Sequence, residues 1–331
     1  MTLYFRWIRV LKYYLNIKVI LGLVPLVVIV NTILYVLLFS KSNVIVIRMI
    51  DIPDSLVTVE KLSNSTMPYC EVARRERSLI LQPPSQPVPE EILDLLATDT
   101  RIQKGGAWKP ENCISPHKVA LIIPYRDRKE NLRDFLAYMH PFLQKQNLDY
   151  RIVVVEQTDR PFNRAKLFNI GFVETEKIDN FHCYIFHDVD LLPQNLNNIY
   201  GCTNYPRHMS ANINIFDYKV PYDSIFGGSV AILKSQFQAV NGFSNIFFGW
   251  GGEDDDFYNR VTRNGSKICR FSSDVSQYVM LSHKKEKPSS DRYYVLVTGK
   301  YRFLTDGLNS LKYSVIKIDM LPLYTRILVD I

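Results

Sequence analysis

Four carboxylates in succession, Glu253-Asp254-Asp255-Asp256, follow Gly249-Trp250-Gly251-Gly252. A carboxylate run is costly to bury unless something uses the charge. The glycines let the backbone come close to a ligand, and Trp250 offers a flat apolar face with one N–H donor, suited to a sugar ring. The plainer alternative is a solvated loop, or a first helical turn whose carboxylates favour the macrodipole. Asp188-Val189-Asp190 is a second acidic motif, of the kind that holds a divalent cation on a diphosphate; a capped turn is its plain alternative. Met280-Leu281-Ser282-His283 adds a thioether and an imidazole. With Asp190 these make an O, S, N donor set, and a thioether favours Mn²⁺ over Mg²⁺. Arg126 and Arg128 supply planar donors for phosphate. Phe162-Asn163-Arg164 adds a ring for a base and another cation. The polar stretch Lys284–Asp291 has the composition of a lid that closes over a bound donor.

These residues need elements to position them. Val119–Ile123 is a buried-strand run ended by Pro124. Leu132, Phe135, Leu136, Met139 and Leu143 keep helical spacing. Ile152–Val155 is a second strand, Ala165–Phe172 a helix, and Cys183–Phe186 a third strand running into Asp188. Alternating strands and helices predict an α/β fold, a mostly parallel sheet with helices on both faces. Ligands bind beyond the carboxyl ends of such strands, where Pro124–Arg128 and Asp188–Asp190 fall.

The chain has 331 residues, 47% of them hydrophobic, and a formal net charge of +7. That charge does not point to nucleic acid, because Arg6, Arg9, Lys12 and Lys18 precede every acidic residue and lead into the aliphatic run Val19–Phe39. A run of that length spans a bilayer, and the preceding positive charge predicts a cytoplasmic tail over 1–18. Asn31 within the span could contact a membrane-protein partner. Residues 40–67 read as a stem, despite the hydrophobic piece Val44–Ile50, and 68–331 as a luminal domain. Gln82–Pro89 reads as a Pro-rich extended linker. The sequons at Asn64 and Asn264 fit a luminal compartment. Five cysteines there should mostly pair, leaving one over.

In order along the chain, Phe162-Asn163-Arg164-Ala165-Lys166-Leu167, Asp188-Val189-Asp190, Phe226-Gly227-Gly228, Trp250-Gly251-Gly252-Glu253-Asp254-Asp255-Asp256 and Met280-x-x-His283 together resemble the β-1,4-galactosyltransferases, family 7 of the glycosyltransferases. The resemblance covers roughly 68–331, including Thr305–Leu311 and Pro322-Leu323-Tyr324. It implies a GT-A (Rossmann-like) domain behind a Golgi type II signal anchor. It also implies an inverting, Mn²⁺-dependent transfer from a UDP-sugar to a terminal β-linked GlcNAc. Pro124, Tyr125, Arg126, Arg128, Phe162 and Arg164 match the nucleotide and phosphate contacts, with Asp188 and Val189 beside them. Asp190, Met280 and His283 match the metal ligands. Trp250 and Gly228 match donor positions. Tyr222, Gly252, Glu253, Asp254, Arg292, Tyr293 and Leu296 match the acceptor site, with Asp254 the expected base and Glu253 its companion. Cys70–Cys113 and Cys183–Cys202 match the family's disulfides, which leaves Cys269 unpaired.

The chain departs from the pattern at Ser229-Val230, where the family often reads Val-Ser, and in a shorter lid. It also carries Ile225 where vertebrate members carry Tyr. In the family, Tyr at that position goes with galactose transfer, and Ile or Leu in invertebrate members goes with GalNAc. UDP-GalNAc is therefore the expected donor and GalNAcβ1-4GlcNAc the expected product. UDP-galactose is the alternative donor, and an inactive member serving as a Golgi partner protein the alternative role.

Overall fold

The computed structural model describes residues 25, 28–31, 43–59, 66–71, 79–158, 161–284 and 286–331. It divides into two units, 1–43 and 44–331. In the first, Pro25 and Val28–Asn31 are helical; the rest of the expected span, and the sequon at Asn64, lie outside the described residues. Among the described residues no helix is long and apolar enough to cross a membrane.

The second unit is built on a ten-stranded mixed sheet. Its strands are β1 (Val44–Ile47), β2 (Ala107–Trp108), β3 (Lys118–Tyr125), β4 (Asp149–Gln157), β5 (Cys183–His187), β7 (Arg207–His208), β9 (Ser229–Leu233), β10 (Ile268–Phe271), β12 (Ser314–Met320) and β13 (Thr325–Asp330). Along the sheet the order is β1-β10-β7-β9-β5-β3-β4-β13-β12, with β2 paired to β4 off that path. The centre, β5-β3-β4-β13, is parallel as expected, whereas β9 runs antiparallel to both β5 and β7. A separate three-stranded sheet joins β6 (Leu191–Pro193), β11 (Gln277–Met280) and β8 (Asn212–Ile213).

Helices α1 (Ile52–Ser55), α2 (Glu90–Ala97), α3 (Lys129–Gln144), α4 (Arg164–Thr175), α5 (Lys234–Ala239), α6 (Glu253–Arg263) and α7 (Arg292–Thr298) complete the regular structure. Strand β3 explains the two layers. Val119, Leu121 and Ile123 pack with Leu132, Phe135, Leu136 and Met139 of α3. The alternate residues Ala120 and Ile122 pack with Ala165, Phe168 and Ile170 of α4 on the other face. A strand covered on both sides reads as one continuous apolar run.

Two disulfides fasten the body, Cys70–Cys113 and Cys183–Cys202, and Cys269 is buried and unpaired. The stem boundary needs correction. Residues 44–56 belong to the folded body: β1 lies parallel beside β10, and Ile52 and Leu56 are buried with Phe271 and Val275. The apolar Val44-Ile45-Val46-Ile47 run completes a sheet edge rather than leading to it. The Pro-rich stretch is likewise tied down, since the Val88 N–H donates to Asp134 of α3 at 3.0 Å.

Candidate active site

The acidic run is both things its sequence allowed. Glu253–Asp256 form the first turn of α6, where the dipole favours carboxylates, and that turn also faces the site. Gly252 caps it with φ 93°, a left-handed conformation that suits glycine. Phe257 fixes the helix, stacking on Phe243 with centroids 3.8 Å apart and on Phe226 at 5.5 Å. Below the turn, Asp256 and Arg260 form a buried ion pair at 2.7 Å. Asp254 comes so close to the strand entry that a Cβ on Gly227 would lie 2.6 Å from its Oδ2. Gly228, at φ 72°, packs against Ser210 and Leu191, and its carbonyl accepts the Asp188 N–H at 3.0 Å.

Arg164 ties these carboxylates together. Its Nε meets Asp188 Oδ1 at 2.6 Å, its Nη1 lies 3.5 Å from Glu253 Oε1, and its Nη2 donates to Gly228 O at 3.3 Å. The guanidinium lies over the Phe168 ring, 4.6 Å from the centroid. Burial opposes its charge, yet Asp188 and Glu253 hold it firmly cationic. Burial and then Asp254 push Glu253 above the usual carboxylate range, against the pull of Arg164. Asp188 is raised likewise by burial. Glu253 Oε2 is buried with no hydrogen-bond partner among the described residues.

Of the expected metal ligands, Asp190 and His283 come together, and Met280 lies on the adjoining ladder. Asp190 Oδ2 lies 2.9 Å from His283 Nδ1, and the Leu281 N–H donates to the Asp190 carbonyl at 2.7 Å. Met280 pairs with Leu191, next to Asp190, in the β11–β6 ladder. Its N–H donates to Asn214 Oδ1 at 2.9 Å. Among the described residues no three His, Cys, Asp or Glu side chains form a metal cluster. Asp190 and His283 do meet, and with the thioether of Met280 they would make an O, N, S set that fits a borderline divalent ion better than a hard one.

The remaining expected residues surround these two centres. Pro124 and Tyr125 end β3, and the Arg126 guanidinium lies 5.2 Å from the centroid of the Phe162 ring. Arg128 donates to the Lys284 carbonyl at 2.7 Å, so at least one of its donors serves the lid rather than a phosphate. Val189 is buried. Ile225 is half-buried, and its carbonyl accepts from Arg270 at 2.9 Å. Trp250 is 56% exposed, with Arg292 over its ring at 5.1 Å and its carbonyl accepting the Ser289 N–H at 3.0 Å. Tyr293 is exposed beside Arg292, and Leu296 lies a turn further on α7. Tyr222 is paired with Asp255; burial and then the Asp254 and Asp255 charges push its phenol up. The sequon residue Asn264 sits exposed at the end of α6.

Three contributors were not legible beforehand. Asp255 was read only as part of a run. Asn214 and Asn131 carry no spacing signal, and only the fold brings them to Met280 and Ser282. Chemically, the arrangement offers one carboxylate at a glycine turn, a cation-braced acidic pair, and the Asp190–His283 pair beside Met280 at the end of β11.

The chain is similar to known proteins in sequence and fold. The profile of the N-terminal region of glycosyl transferase group 7 matches residues 85–203, and that of the N-terminal domain of galactosyltransferase matches 207–284. Beta-1,4-galactosyltransferase 1 of Bos taurus is 44% identical over 248 residues, 74% of this chain and 62% of that protein. The chain thus spans about three fifths of that relative's length. Beta-1,4-galactosyltransferase 4 of Cricetulus griseus is 40% identical over 277 residues, 82% of this chain and 79% of that protein. Among solved structures, a mutant Drosophila β1,4-galactosyltransferase 7 in complex with manganese, UDP-Gal and xylobiose superimposes with a TM-score of 0.53 at 28% identity. The match covers 65% of this chain and 93% of that one.

Proposed function

Because the chain belongs to the β-1,4-galactosyltransferase family, glycosyltransferase group 7, we propose that it transfers GalNAc from UDP-GalNAc to the 4-hydroxyl of a terminal β-linked GlcNAc. The observation that carries the transferase reading is the placement of Asp254 against Gly227, beside the Arg164-braced carboxylates Asp188 and Glu253. In an inverting transfer the acceptor oxygen bonds to the anomeric carbon as the bond to UDP breaks. UDP leaves with the electron pair, and the acceptor proton goes to a base on the opposite face. Asp254 is that base. Glu253 and Asp188, held by Arg164, orient sugar hydroxyls, and Tyr222, Trp250, Arg292, Tyr293 and Leu296 surround the acceptor. Phe162, Arg126 and Arg128 take the nucleotide. Asp190, Met280 and His283 would hold Mn²⁺, which supplies positive charge beside the leaving diphosphate.

Ile225 supports GalNAc as the donor. An aliphatic side chain leaves room for an acetyl methyl where a phenol would crowd it. Pocket discrimination of this kind amounts to about 1–3 kcal/mol, so Ile225→Tyr should shift the ratio of catalytic efficiencies toward UDP-galactose by about tenfold. A wild type that prefers UDP-galactose, or an unchanged ratio in the variant, overturns the GalNAc assignment. The galactose reading has its own support in the names of the relatives. The aliphatic run 19–39, the two sequons and the two disulfides support a Golgi type II membrane protein with a luminal catalytic domain.

A further inference from the structure

We propose that Asn131 is a positioning residue for His283, holding the imidazole where it can bind the metal. The inference rests on reading Asp190, Met280 and His283 as the metal site. Asn131 lies in the first turn of α3 and is only 8% exposed. A buried amide needs partners, and its Nδ2 donates to the Ser282 carbonyl at 3.2 Å. On the other side of His283, Arg128 Nη2 donates to the Lys284 carbonyl at 2.7 Å. The residues on either side of His283 are therefore both fastened to the start of α3, and Leu281 is fastened to Asp190. From Glu286 to Asp291 the residues are mostly exposed.

The consequence concerns the ligand's freedom. Asp190 lies in the short turn between β5 and β6 and is set by both, whereas His283 sits on a connecting segment without regular structure. Asn131 links that segment to a helix whose Leu132, Phe135 and Leu136 are buried in the core. An imidazole already in place loses less freedom when metal binds, so removing the link should weaken the metal and spare the chemistry. Outer partners of metal ligands typically affect metal affinity by 10–100-fold, and one neutral hydrogen bond belongs at the lower end.

The test is titration calorimetry of Mn²⁺ into the intact protein saturated with UDP. Wild type is compared with Asn131→Leu and with the smaller Asn131→Ser. Both variants should bind Mn²⁺ about tenfold more weakly. Their kcat at saturating Mn²⁺ should stay within about twofold of wild type, measured with whichever UDP-sugar wild type turns over. Wild-type Mn²⁺ affinity in either folded variant overturns the inference, as does a lowered melting temperature with unchanged Mn²⁺ binding. A wild type that binds no Mn²⁺ in the presence of UDP overturns the metal assignment itself, and that is seen before any substitution is compared.

Discussion

Asp254, the proposed base, makes a contact that no side chain could share. The space between it and Gly227 has no room for a methyl group, and the group that would yield is the carboxylate rather than the backbone. Gly227→Ala should therefore leave the fold intact and displace the base. A misplacement of about 1 Å can cost roughly 100-fold, so kcat should fall by about that factor while UDP binding stays near wild type. Asp254→Asn keeps the shape and removes the proton acceptor. Turnover should drop by about 10²–10⁴-fold with melting temperature and UDP affinity preserved; near-normal turnover would move the base to Glu253. The roles of single residues were unevenly legible. The roles expected of Glu253 and Asp254 came from the resemblance, because an acidic run after a Gly-rich turn reads as readily as a solvated loop or a first helical turn. Arg164 was read with the nucleotide and phosphate contacts; that its donors reach Asp188, Glu253 and Gly228 depends on three segments far apart in sequence.

Elements were legible where one run of residues carries its own instruction. Strand β3 is continuous in apolar character because it is covered on both faces, and α3 shows its core face at helical spacing. Short strands were not. Arg207–His208 and Asn212–Ile213 have two residues each and are specified by their neighbours. Between α3 and the sheet, His140 bridges the Tyr150 hydroxyl and the Leu323 carbonyl, each at 2.8 Å. Burial pushes this imidazole down to about 4. The unfolded chain then binds the proton more readily than the folded one. Stability is full above the unfolded value of about 6.5 and falls as pH drops from there toward 4, by about 3 kcal/mol for one such group. Melting temperatures measured from pH 7 down to pH 4.5 should decline, and His140→Gln should decline less steeply. Parallel slopes in the two proteins would rule His140 out as the source.

At the scale of the whole molecule, the sheet is finished by strands that come from the ends of the body. Strand β1 covers β10 at one side, and β13 covers β4 at the other. A protein beginning at Pro68 would leave the β10 edge and Phe271 uncovered. It should melt lower and aggregate more than one beginning at Asn43, as light scattering during a thermal ramp would show. Equal behaviour would mean that the 44–56 segment adds nothing to the body.

The same arrangement sets a clock on biosynthesis. Val44 must wait for Ile268, roughly 220 residues later, which at ribosomal speeds of about 5–20 residues per second is on the order of 10–45 s. Val153 of β4 waits for Thr325 of β13 in the same way. Until β9 and then β13 are made, the central strands β5-β3-β4 lack their flanking partners, and an open strand edge is a template for the wrong partner. The nascent chain is thus most vulnerable while its core sequence is already present, and its dependence on chaperones should be sharpest then.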